Sequence, residues 1–364
     1  MIIADVIKHL EDFAPIATAE DFDNVGLLVG NSQTEVSGIL ITLDTLEETV
    51  EEAIAKNCNL IVSFHPIIFS GLKKLNGSNY VERTVIKAIK NDIAIYAIHT
   101  ALDNHHLGVN KMMCDKIGLK NTQILIPKKN SIKKLTTYIP SDKAEELRKN
   151  LFEAGAGSIG NYTECSFNIE GKGSFKPNQE SNPVIGKKGE LHIEQETQIG
   201  ITFPNYMEGK VLKSLFKNHP YEEVAYEIVT LDNAHQQMGM GMIGEFENSY
   251  SETEFLEHLK NTFGTGCIRH SKLLDKPVKK VAVLGGSGSF AIENAKQAGA
   301  NFFITADLKY HDFYRAEETL VLADIGHYES EQYTKHLLHS YLSKKISNFA
   351  LILAITKTNP IKYY

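Results

Sequence analysis

The chain has 364 residues, enough for two or three domains at the usual ~100–200 residues each. It is 42% apolar and 23% charged, an ordinary globular mixture, and its net charge of −7 argues against a broad electrostatic grip on nucleic acid. No stretch reaches the ~18 apolar residues of a membrane span, and the start "MIIADVIKHLEDFAPIA" lacks the plan of a secretory signal.

The four cysteines, Cys58, Cys114, Cys165 and Cys267, are widely spaced with no C-x-x-C. They read as reduced thiols in a cytoplasmic protein, so any metal site must be built from His, Asp and Glu. The first third reads as α/β. Strand "ILITLDT" leads to Thr45-Leu-Glu-Glu48, which has capping-box form and predicts a helix over "LEETVEEAIAKN". Strand "CNLIVSF", helix "VERTVIKAIKN" and strand "IAIYAIH" follow. Strands alternating with helices predict a mainly parallel sheet.

The middle third has another texture. It reads strand "KKLTTYIP", helix "SDKAEELRKNLFEAGAG", strand "YTECSFNIEG", a polar loop or hairpin, strand "TQIGITFP", helix "EGKVLKSLFKNHP" and strand "VAYEIVTL". That order predicts an α+β ferredoxin-like module. "HQQMGMGMIGEF" reads as a Met/Gly junction, and Ser251-Glu-Thr-Glu254 opens a capped helix. α/β order then resumes from "KKVAVLGGSGSF". The expected domains are a first α/β lobe over 1–127, the insert over 128–237 and a second α/β lobe over 238–364.

The two lobes look like copies. "EEAIAKNCNLIVSFHP" lies over "ENAKQAGANFFITADL", so that His65 falls on Asp307, 242 positions on. "IAIYAIHTALD" lies over "VLADIGHYESE", so that His99 falls on His327 and Asp103 on Glu331, 228 positions on. All of these follow predicted strand ends, where ligands gather in open α/β sheets. H-x-x-x-[D/E] places an imidazole and a carboxylate on one helical face, and such donors suit Zn, Mn or Fe. The alternative is a pair of histidines capping strand ends through hydrogen bonds.

Other candidates are weaker. Gly286-x-Gly288-x-x-Ala291, with Asp307 further on, approaches a dinucleotide-binding fingerprint, although a tight turn with no ligand reads equally well. His311 is a candidate general acid/base or a partner that orients a ligand. Asp23, in "EDFDNVGLLVG", could orient a ligand at the cleft. No G-x-S-x-G nucleophile motif occurs.

"DFDNVGLLVG", "SFHPIIF", "HTALDN", "GGSGSF", "TADLKYH" and "GHYESE", in this order, resemble the NIF-three-like dinuclear metal-binding family, whose bacterial members are commonly named GTP cyclohydrolase I type 2 homologues. The central segment looks like the ferredoxin-like insert of the longer members. The resemblance implies two divalent metal ions per chain held by His65, Asp103, His327 and Glu331, with Glu331 as the bridge. It also implies a homohexamer and a nucleotide-like small molecule. One departure stands out: the family's first histidine of a His-His-Pro is Phe64 here. Three functions are therefore weighed. The first is a metal-dependent hydrolase of GTP cyclohydrolase type, with His99 or His311 moving protons. The second is a non-enzymatic metal-binding or regulatory scaffold. The third is a nucleotide-cofactor protein built on the glycine loop.

Overall fold

The computed structural model describes all 364 residues. Its strands are β1 (Gly26–Val29), β2 (Ile39–Thr42), β3 (Leu60–Ser63), β4 (Ala94–Ala97), β5 (Lys120–Pro127), β6 (Ile132–Pro140), β7 (Phe167–Phe175), β8 (His192–Pro204), β9 (Tyr226–Leu231), β10 (Gly239–Tyr250), β11 (Arg269–His270), β12 (Val278–Ser287), β13 (Phe302–Ala306), β14 (Val321–Asp324) and β15 (Leu351–Leu353). The helices that matter below are α1 (Glu47–Ala55), α2 (His99–Asp103), α3 (Val109–Ile117), α4 (Glu252–Phe263), α5 (Ile292–Gln297), α6 (His327–Glu331) and α7 (Thr334–Lys345).

Two compact units result, residues 1–126 with 237–364, and residues 127–236. The first holds two sheets. One runs β1-β4-β3-β2-β15, parallel except for β1 at its edge. The other runs β11-β14-β13-β12-β10-β5, with β12, β13 and β14 parallel. The inner strands are apolar on both faces, as "LIVS" and "FFITA" show, because helices cover both sides. The lobes interlock: β5, from the first third of the chain, joins the second sheet, and β15, from its end, joins the first. Met113, Cys114 and Ile117 of α3 pack in the core beneath the second sheet, while Leu338 and Leu342 of α7 pack in that of the first. The sequence boundaries at 127 and 238 therefore do not separate the sheets.

The second unit has the order strand–helix–strand–strand–helix–strand. Its antiparallel sheet runs β7-β8-β6-β9, the β-α-β-β-α-β plan expected of this segment.

Local expectations held unevenly. Ser251 caps α4 through a true box: its Oγ accepts from Glu254 N at 3.3 Å, and Glu254 Oε2 accepts from Ser251 N at 2.9 Å. The first box did not form as read. Leu46 is the N-cap of α1, Thr49 Oγ1 accepts from Leu46 N at 3.3 Å, and the Thr45 hydroxyl is buried without a partner. The Met/Gly stretch His235–Phe246 does contain the return to the first unit, at residue 237, but from Gly239 it runs on as a 12-residue strand to Tyr250. Strand β7 begins at Phe167, later than the pattern suggested, because Tyr162 closes a small bridge with Ile159 instead.

Candidate metal centre

The repeated halves carry the same device. β3 ends at Ser63 and β13 at Ala306, and His65 and Asp307 follow them. β4 and β14 are each followed by a five-residue helix, α2 and α6, so His99/Asp103 and His327/Glu331 occupy matched i, i+4 positions. Gly326, at φ +96, turns the chain into α6.

Both imidazoles reach one carboxylate. His65 Nε2 and His327 Nε2 each lie 3.1 Å from Glu331 Oε2. That oxygen is buried, yet neither contact has hydrogen-bond alignment. Three donor atoms crowded together without bonding one another is the arrangement of groups aimed at a common point. These atoms lie within 4.8 Å of one another.

Each imidazole is held from behind. His65 Nδ1 donates to Asp44 Oδ1 at 2.8 Å, and His327 Nδ1 donates to Asp307 Oδ2 at 2.7 Å. The carboxylates only accept, so Nδ1 carries a hydrogen in each ring, and Nε2 is the atom that faces Glu331 and would bind a cation once its own proton is displaced. The orienting carboxylates are themselves held, Asp44 by the Thr358 hydroxyl and Asp307 by the Ser287 hydroxyl. A third pair repeats the motif: His99 Nδ1 donates to Asp23 Oδ1 at 2.8 Å, and Thr100 N and Oγ1 donate to Asp23 Oδ2. The His99 ring lies 5.2 Å from that of His65.

Asp103, at the end of α2, has an Oδ1 sealed from solvent with no partner. Burial first, then the charge of Glu331, pushes its pKa well above the carboxylate range. Burial pulls the His65 imidazole down, but Glu331's charge, the bond to Asp44 and the close approach of Glu331 outweigh it, raising the pKa to about 10. His327 rises to about 11 against the same burial, through Asp307 and Glu331. For Glu331, burial is overcome by the two imidazoles, and its pKa falls to about 2. Asp23 likewise falls to about 2, the bonds from His99 and Thr100 overcoming burial. Two crowded carboxylates, one of them orphaned, form a site that a divalent cation would relieve. The donor set, imidazole nitrogen and carboxylate oxygen, fits Zn, Mn or Fe.

The glycine loop serves this site. A Cβ on Gly286 would lie 2.4 Å from Glu331 Oε1 and 3.3 Å from His327 Nε2, and one on Gly288 would lie 2.1 Å from Thr305 Oγ1. Gly286 N donates to Ser330 Oγ of α6 at 3.0 Å. The glycines therefore let the backbone approach the cluster, and Asp307, the acidic residue of the fingerprint, is spent on His327.

Phe64 is fully buried, its ring 4.9 Å from His65 and 5.4 Å edge-on from His99. A phenyl ring thus packs beside the imidazoles where an imidazole was expected. His311 is exposed; its ring contacts are Tyr310 and Tyr314, and none joins it to the cluster. Sequence reasoning missed Asp44 and Thr358. Asp44 had a signal, an acid at a strand end, but Thr358 comes from the far end of the chain with none.

A family model described as Duf34/NIF3 (NGG1p interacting factor 3) matches residues 1–360. The chain belongs to this family. A Bacillus subtilis protein named GTP cyclohydrolase 1 type 2 homolog is 37% identical over 98% of this chain and 97% of its own. A Staphylococcus epidermidis protein of the same name is 35% identical over the full length of both. Among solved structures, a Bacillus cereus protein related to NIF3 superposes with a TM-score of 0.86 at 36% identity, covering 100% of this chain and 99% of its own. In this NIF3-family chain, no helix is long and apolar enough to cross a membrane.

Proposed function

We propose that the chain is a dinuclear divalent-metal protein acting as a metal-dependent hydrolase of the GTP cyclohydrolase 1 type 2 kind on a nucleotide-like substrate. The carrying observation is the approach of His65 Nε2 and His327 Nε2 to Glu331 Oε2 at 3.1 Å each, out of hydrogen-bond alignment. These three side chains would hold one cation. Glu331 and the orphaned Asp103 would hold a second, with His99 as a further donor or as the group that moves a proton. Paired divalent cations supply activated water at neutral pH and a clamp for the oxygens of a displacement.

The protein's own contribution is orientation. Asp44 and Asp307 fix two imidazole tautomers, Asp23 fixes His99, and Gly286 keeps the cleft floor clear for Glu331. The names of the relatives support the substrate class. The scaffold reading, in which the cations are held without turnover, draws on His311, which stands apart from the cluster and leaves His99 as the one further imidazole there.

Metal analysis and a GTP turnover assay on metal-loaded protein test the proposal. About two ions per chain, lost together with turnover in Glu331→Ala and His65→Ala while the fold persists, is the expected result. Two ions with no turnover across a panel of nucleotides would select the scaffold.

A further inference from the structure

The insert holds a cavity of about 550 Å³, within the ~300–1,000 Å³ range of small-molecule pockets. Its walls include Tyr138, Ile169, Phe175, Val184 and Ile185, contributed by β6, β7 and the loop after β7. That loop is tied across the mouth, where Asn182 N donates to Glu222 Oε1 at 2.8 Å. Ile169 and Val184 are more than half exposed as they stand, so apolar surface faces the open space.

A carboxylate also lines this apolar cavity. Glu196 of β8 is only 9% exposed. Its Oε1 accepts from the Tyr221 hydroxyl at 2.7 Å, and no other hydrogen bond or ion pair reaches the side chain. Oε2 lies over Gly173, where a Cβ would come within 2.0 Å of it, so the glycine makes room for this rotamer. Two lysines, Lys172 and Lys176, and two glutamates, Glu222 and Glu223, are exposed around the cavity and cancel in charge. Glu196 is thus the uncompensated charge. Its second oxygen has no protein partner and is not sealed from solvent at the cavity wall, so a cationic N–H group entering the cavity could bond it.

We propose that this pocket binds a small organic cation with a flat or apolar body, an amidine or amine whose N–H groups pair with Glu196 while its carbon frame lies against Phe175, Ile169 and Val184. Geometry and charge both select that class. An anion would meet Glu196, a bare metal ion would find one inward carboxylate with no imidazole or thiolate beside it, and a neutral apolar molecule would leave that carboxylate unpaired. The site uses no residue of the metal centre.

Benzamidine, with neutral benzamide as its isostere, tests the proposal on the full-length protein by titration calorimetry or protein-observed NMR. Saturable one-to-one binding of benzamidine, with benzamide at least tenfold weaker, is expected. Glu196→Gln should weaken benzamidine at least tenfold. Tyr221→Phe, which leaves the carboxylate in place, should bind at least as well as the wild type. Chelator-treated protein should give the same affinity, which separates this site from the metal reading. Equal binding of the two probes, no binding of benzamidine, or unchanged binding in a folded Glu196→Gln protein would overturn the proposal. The probe comparison on wild-type protein decides it even if Glu196→Gln does not fold.

Discussion

The two halves of the metal-binding body start from one plan and spend it differently. In the second half, α6 delivers both ends of H-x-x-x-E to the cluster, His327 and Glu331 standing 3.1 Å apart. In the first half, α2 has the same spacing, but His99, held by Asp23 as His327 is by Asp307, is not one of the three side chains that cluster at Glu331, and Asp103 is left without a partner. The first half sends His65 instead, from the preceding strand end, where the second half has Asp307. Each half thus sends one acid-backed imidazole to Glu331, but the acid behind His65 comes from β2's end and the acid behind His327 from β13's. A duplicated backbone fixes where donors can stand; which donor stands there is set by single residues. Phe64 shows the cost of one such choice, since a ring with no lone pair packs where a ligand could be.

That contrast can be broken most severely at the residue the halves share. Glu331→Gln keeps the shape and removes the charge that both imidazoles face. The tight cation should be lost outright, seen as a fall in metal content with little change in circular dichroism. Next, Asp44→Asn and Asp307→Asn test whether the two orienting acids are equivalent. Each should lower metal affinity by about 10–100-fold, the usual cost of removing such a partner, and equal losses would show that the halves grip their imidazoles alike. Phe64→His should sharpen the asymmetry in the opposite direction. By restoring a donor to the first half, it should raise affinity for the second cation by about tenfold, roughly 1.4 kcal/mol, in a calorimetric titration.

The smallest effect is on pH dependence. With no cation bound, His65 and His327 are raised from 6.5 to about 10 and 11, so their stabilisation is complete below about 6.5 and lost as pH rises through those values. Glu331 is lowered from 4.5 to about 2, so its share is complete above about 4.5 and lost as pH falls toward 2. Chelator-treated protein should therefore show its highest Tm contribution from this cluster between pH 4.5 and 6.5, and Glu331→Gln should flatten the profile. Cation binding must displace the imidazole protons, so affinity should climb with pH from 6 to 9.

Much of this was legible before any coordinates. The alternation of strands and helices, the repeat offsets and the H-x-x-x-[D/E] pairs located β3, β4, β13, β14 and the strand-end His, Asp and Glu residues, because strand ends and i, i+4 spacing are local properties; the choice of four ligands among them came from the family resemblance. Non-local pairing was not legible. Nothing in "LIL" at 351–353 says that it lies beside β2, and nothing near Thr358 says that it bonds Asp44, 314 residues away. The glycine loop left two readings open for a related reason. Glycine reports close approach but not the group that approaches, and at Gly286 that group is Glu331. The Met/Gly stretch was placed correctly as the junction, but its strand β10 was not foreseen, because local propensity there is overridden by pairing with β12.

Anomalous diffraction from crystals of the metal-loaded protein tests the central claim most directly. A strong peak about 2.0–2.2 Å from His65 Nε2, His327 Nε2 and a Glu331 carboxylate oxygen together is the predicted result. A peak that omits either histidine, or metal bound only elsewhere on the chain, would contradict it.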